Sequence, residues 1–89
     1  MEKEKIGKFI SEVRKEKGLT QKELARKIYI SDKAVSKWER GLSFPDIELL
    51  EDLASVLDVS IVELLKGEKL KKLESETENL IIDTIELTK

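Results

Sequence analysis

Residues 20–41 read TQKELARKIYISDKAVSKWERG, and no other stretch limits the fold of this chain as tightly. The Thr20 hydroxyl can accept the unpaired backbone N–H groups of a first helical turn, and Glu23, three residues on, completes a capping-box pattern. Leu24, Ala25 and Ile28 then repeat at helical spacing. Ser31 offers a second N-cap almost at once, with Asp32 suited to the positive end of that helix's dipole. Ala34, Val35 and Trp38 make the inward side of the second helix, and Gly41 just past Arg40 suits its C-terminal stop. Two short amphipathic helices joined by a tight turn are therefore expected.

On the other side of the second helix lie Asp32, Lys33, Ser36, Lys37 and Arg40, whose side chains suit base edges or phosphates. This is the layout of a helix-turn-helix, whose second helix is built to lie in a DNA major groove. Two amphipathic helices with a short connection also occur in helical domains that never touch DNA, so periodicity alone leaves both uses open.

The flanking segments read as three more helices. Ile6, Phe9, Ile10 and Val13 share one face of a first helix ending near Gly18, with Lys5, Lys8, Glu12, Lys15 and Glu16 on its outer face. A fourth helix follows Phe44-Pro45-Asp46. Pro45 is expected near its start, where a missing N–H costs nothing, and Ile47, Leu50, Leu53, Ala54 and Leu57 are its expected buried stripe. Ser60 can cap a short fifth helix with Ile61, Leu64 and Leu65 inward and Gly67 at its close. Trp38 could stack on a ligand, but it reads first as a packing residue.

Residues 6–68 resemble the phage-repressor/Cro-type helix-turn-helix domains of the XRE family. The marks are GLTQKELA from Gly18, SDKAVSKWERG from Ser31, FPDIELLEDLASVLDVS from Phe44 and ELLKGE from Glu63, in this order and at these spacings. The resemblance implies an all-α fold: a compact five-helix repressor-like DNA-binding domain over residues 1–68, with a C-terminal helical or extended tail over 69–89. It also implies roles. Gln21 corresponds to a glutamine that contacts phosphate and props the recognition helix. Asp32, Lys33, Ser36 and Lys37 occupy base-reading positions. Lys33 and Lys37 suit guanine O6 and N7, and Asp32 either accepts from a cytosine amine or serves only the helix dipole. Arg40, Ser43 and the backbone amides before Pro45 fall where the family grips phosphate. Thr20 and Ser31, at the two helix starts, complete the expected DNA-binding set. Arg14 and Glu39 match a structural ion pair that bridges the first and third helices. Tyr29 departs from the pattern, which often has Gly or Asn at this turn because the backbone there tends toward positive φ. A tyrosine there is mildly strained, or packs over the turn.

Composition narrows the classes that remain. At 89 residues there is room for one small domain and a tail. The chain has neither cysteine nor histidine, which removes disulfides, the usual metal ligands and the commonest nucleophile–base pairs. No cofactor, metal or catalytic residue is expected, so the chain reads as a non-enzyme. No leader and no membrane-spanning apolar run is visible, so a cytoplasmic location is expected. The net charge of −2 is unevenly spread, with +5 over residues 1–40 and −7 over residues 41–89. The positive half holds the proposed DNA-facing helices, and the local field matters more than the total.

Residues 70–89 are the least determined. Leu70, Leu73, Thr77, Leu80 or Ile81, Thr84 and Leu87 give a heptad-like trace, which suits a helix pairing with a second subunit. The β-branched run from Leu80 to Ile85 equally suits a strand or a docked extension, and the chain could be the front part of a longer protein. The function expected is a bacterial or phage transcription regulator, acting as a repressor, whose homodimer binds a palindromic operator on double-stranded DNA. The alternative is an antitoxin whose main partner is a toxin protein.

Overall fold

Five helices and their connections make up the computed structural model, which describes residues 2–70. They are α1 (Lys3–Glu16), α2 (Gln21–Lys27), α3 (Asp32–Glu39), α4 (Ile47–Leu57) and α5 (Ile61–Lys66). No strand occurs among the described residues, and the architecture is all-α.

The helix starts are set by local chemistry. Thr20 Oγ1 accepts from Glu23 N at 3.0 Å while Thr20 N donates to Glu23 Oε1 at 2.9 Å, a complete capping box. Ser60 and Glu63 repeat it at the start of α5, at 3.0 and 2.8 Å. Ser31 caps α3 by accepting from Ala34 N at 3.2 Å. α1 stops where Gly18 turns to φ +71°, which lets Leu19 N reach back to Arg14 O at 3.1 Å.

α1 is the central element, packed against α3, α4 and α5; α2 packs on α3 and α4 on α5. The buried core takes Ile6, Phe9, Ile10 and Val13 from α1, Leu24 and Ala25 from α2, and Val35 and Trp38 from α3. Leu50, Leu53, Ala54 and Leu57 of α4, Leu64 of α5 and Ile28 after α2 complete it. Trp38 is 4% exposed and therefore a core residue rather than a platform for a ligand.

Several packing expectations are corrected. Ile47 is 83% exposed, so the buried stripe of α4 begins at Leu50. Ile61 is 40% exposed: α5 is one and a half turns long and buries fully one side chain, Leu64. Leu65 is half-buried. Pro45, by contrast, stands near the start of α4 as expected, one residue before its N-cap Asp46. Leu70 N donates to Glu63 Oε2 at 2.9 Å. Residues 71–89, with the heptad-like trace and the strand alternative read there, lie outside the described residues.

Candidate nucleic-acid interface

α3 has two chemically distinct sides. Val35 and Trp38 are buried against the core, while Asp32, Lys33, Lys37 and Arg40 are exposed and Ser36 is half-buried between them. The spacing of 32, 33, 36, 37 and 40 puts all five on one helical face. Arg40, the C-cap of α3, donates through Nε to Ser36 O at 3.3 Å, which answers one of the open carbonyls at the negative end of the helix.

Behind that face is a buried polar network. Arg14 Nε donates to Glu39 Oε2 at 2.7 Å, and a second guanidinium nitrogen donates to Glu39 Oε1 at 3.0 Å. Another Arg14 nitrogen donates to Leu19 O at 2.7 Å, and Gln21 Nε2 donates to Glu39 Oε1 at 3.0 Å. The two charged side chains are 10% and 6% exposed. Burial alone would push the Glu39 carboxyl up. The hydrogen bonds from Arg14 and Gln21, with the Arg14 charge, outweigh it and hold the carboxyl below the usual carboxylate range. Arg14 is raised above its ordinary value, chiefly by its hydrogen bond to Glu39. One carboxylate at the end of α3 is thus tied at once to α1 and to the first residue of α2.

The other expected site residues take the following places. The hydroxyls of Thr20 and Ser31 are spent on capping α2 and α3. Gln21 is half-buried, its amide turned to Glu39. Ser43 is half-buried in the loop after α3.

The turn between α2 and α3 runs through Tyr29 at φ 57°, left-handed backbone in a non-glycine residue. Tyr29 is 94% exposed, so its ring does not pack over the turn. Ile30 N closes back to Ala25 O at 3.0 Å across it. One residue escapes sequence reasoning: Gly7, where a Cβ would run into the carbonyl of Trp38 and crowd that of Glu39. A lone glycine inside an apolar helical pattern is the one signal that could have drawn attention to it. Lys22, Arg26 and Lys27 on α2 are exposed cations as well. No helix among the described residues is long and apolar enough to cross a membrane, and no group of three or more acidic side chains there could hold a metal ion.

A family model described as helix-turn-helix matches residues 10–64. The HTH-type transcriptional activator BcrR of Enterococcus faecalis is 44% identical over 70 residues, covering 79% of this chain and 34% of the relative. The chain thus spans about a third of that protein's length. The HTH-type transcriptional regulator SinR of Bacillus licheniformis is 41% identical over 85 residues, covering 90% of this chain and 77% of the relative. The crystal structure of the master regulator for biofilm formation SinR in complex with DNA superposes with a TM-score of 0.63 at 44% identity, covering 67% of this chain and 97% of that one.

Proposed function

The chain belongs to the helix-turn-helix family whose model spans its residues 10–64, and from that premise we propose that it is a sequence-specific DNA-binding transcription regulator. Its α3 enters the major groove. Residues 1–68 are the DNA-binding domain, and residues 69–89 serve dimerisation. The observation that carries this reading is the exposed face of α3, where Lys33, Lys37 and Arg40 stand on a helix backed by the Arg14–Glu39–Gln21 network.

Lys33 and Lys37 donate to base edges, and Arg40 and the loop through Ser43 fix register on phosphates. A two-fold dimer would then read a palindromic site with half-sites about 34 Å apart. Repression follows from occupying promoter DNA. The bland rival, a helical interaction domain, has no use for a row of cations on an otherwise uncommitted helix face.

Selection of bound sequences from random duplex DNA, with affinities of the winners measured at two salt concentrations, tests this. A recovered palindrome with steep salt dependence supports it. No enriched sequence, with weak binding at low salt alone, overturns it and favours the antitoxin reading.

A further inference from the structure

The C-terminal half of α3 rests on a single face of α1. Glu4, Gly7, Ser11 and Arg14 lie at three- and four-residue spacing and so share that face. A Cβ built on Gly41, just past α3, would lie 3.1 Å from Glu4 Cα and 3.3 Å from Glu4 N. One turn along α1, a Cβ on Gly7 would overlap the Trp38 carbonyl oxygen and lie 3.1 Å from the Glu39 carbonyl oxygen. Two turns along, Arg14 grips the Glu39 carboxylate twice. Residues 38 to 41 are therefore seated consecutively along α1.

Gly7 is the tightest of these contacts, and what it meets is backbone. Trp38 O already accepts from Gly41 N at 3.0 Å and belongs to the last turn of α3, so it has no flexible arm to swing aside. The other end of α3 is held independently, by the Ser31 cap and by packing on α2. Extra bulk at position 7 can therefore be relieved only by lifting the far end. A lift of about 1 Å at one end of an eight-residue helix, about 12 Å long, tilts it by about 5°. The tips of Lys37 and Arg40 move further than their backbone, and base-edge hydrogen bonds lose strength steeply with distance and angle.

We propose that Gly7 is a positioning residue for DNA sequence discrimination: by presenting only hydrogen to the Trp38 carbonyl, it sets the tilt of α3 and so the aim of Lys37 and Arg40. This rests on the DNA-binding reading above. It concerns a residue on α1, a helix with no place in the DNA-facing set, and its route to DNA is through α3 alone.

The test uses the full chain and duplexes recovered by selection with the unaltered protein. Lys33→Ala and Lys37→Ala first assign which base pairs depend on which half of α3. Gly7→Ala is then compared at about 10 °C, where its helical circular dichroism is matched to the parent, with Leu57→Ala as a core variant of α4. The expected result is that Gly7→Ala loses about tenfold of its preference for the selected duplex over a scrambled one. That loss should fall at the base pairs assigned to Lys37 while those assigned to Lys33 are kept, and Leu57→Ala should retain its preference when folded. Unchanged preference in folded Gly7→Ala, or an equal loss in Leu57→Ala, overturns the proposal. If Gly7→Ala does not fold, Glu39→Gln carries the test, because it loosens the grip of Arg14 on the end of α3: a smaller loss at the same base pairs supports the seating on α1, and parental preference overturns it. Absence of any enriched duplex for the parent protein would instead be a failure of the DNA-binding reading.

Discussion

Arg14 and Glu39, twenty-five residues apart in the chain, meet through two hydrogen bonds of 2.7 and 3.0 Å and are both almost wholly buried. Removing one partner leaves a buried charge without its counter-ion. Arg14→Ala should therefore lower unfolding stability by about 3–5 kcal/mol, and it also strips Leu19 O of its donor. Lys15→Ala, one residue along and exposed, should change it by less than about 0.5 kcal/mol. Urea denaturation of both variants checks this, and equal midpoints would show the pair to be worth nothing.

The same carboxylate sets part of the acid sensitivity. Glu39 is held below the usual carboxylate range in the folded state. A depressed folded value stabilises fully above the unfolded value of about 4.3 and is lost as pH falls through the lower folded one. Thermal melts between about pH 2 and 5 should show a steep fall for the parent protein and a shallower one for Glu39→Gln. Some slope should survive, because Glu23 and Glu63 are also lowered, chiefly by hydrogen bonds from the backbone of Thr20 and Ser60. Parallel curves for parent and variant would remove Glu39 as the source.

Lys37 stands on the exposed face of α3 with no buried role to confuse the result. Lys37→Ala should weaken binding to a selected duplex by about 1–3 kcal/mol and relax preference at one base position. Its melting temperature should stay near the parent's. If affinity and selectivity are both unchanged, Lys37 does not read bases.

Tyr29 holds left-handed backbone at φ 57° while its ring is almost fully in solvent. Left-handed backbone costs a side chain roughly 1–2 kcal/mol, and glycine would give back part of that relief as unfolded-chain entropy, roughly 0.5–1 kcal/mol. Tyr29→Gly should then be neutral to stabilising by up to about 1 kcal/mol. Clear destabilisation would mean that the phenol ring holds the turn in a way its exposure does not suggest.

Much of the helical layout is legible locally. The capping pairs Thr20–Glu23 and Ser60–Glu63, the Ser31 cap and the glycine stop after α1 all act within four or five residues, so they can be read from the sequence alone. The polar face of α3 is legible for the same reason, since periodicity alone groups 32, 33, 36, 37 and 40. Ile47 is exposed although it falls in the apolar stripe, because periodicity reports which side of a helix a residue lies on. It does not report whether another element reaches far enough to cover that turn.

What the sequence by itself determined is therefore where helices start and stop and which residues share a side, because caps, turns and the 3.6-residue period are short-range. Tertiary structure alone decided which of those sides are covered and how closely. It brought Arg14 and Gln21 onto the Glu39 carboxylate, and it set the end of α3 against Gly7. Those contacts join residues far apart in the chain at distances fixed by how whole helices pack, and no local pattern encodes such a distance.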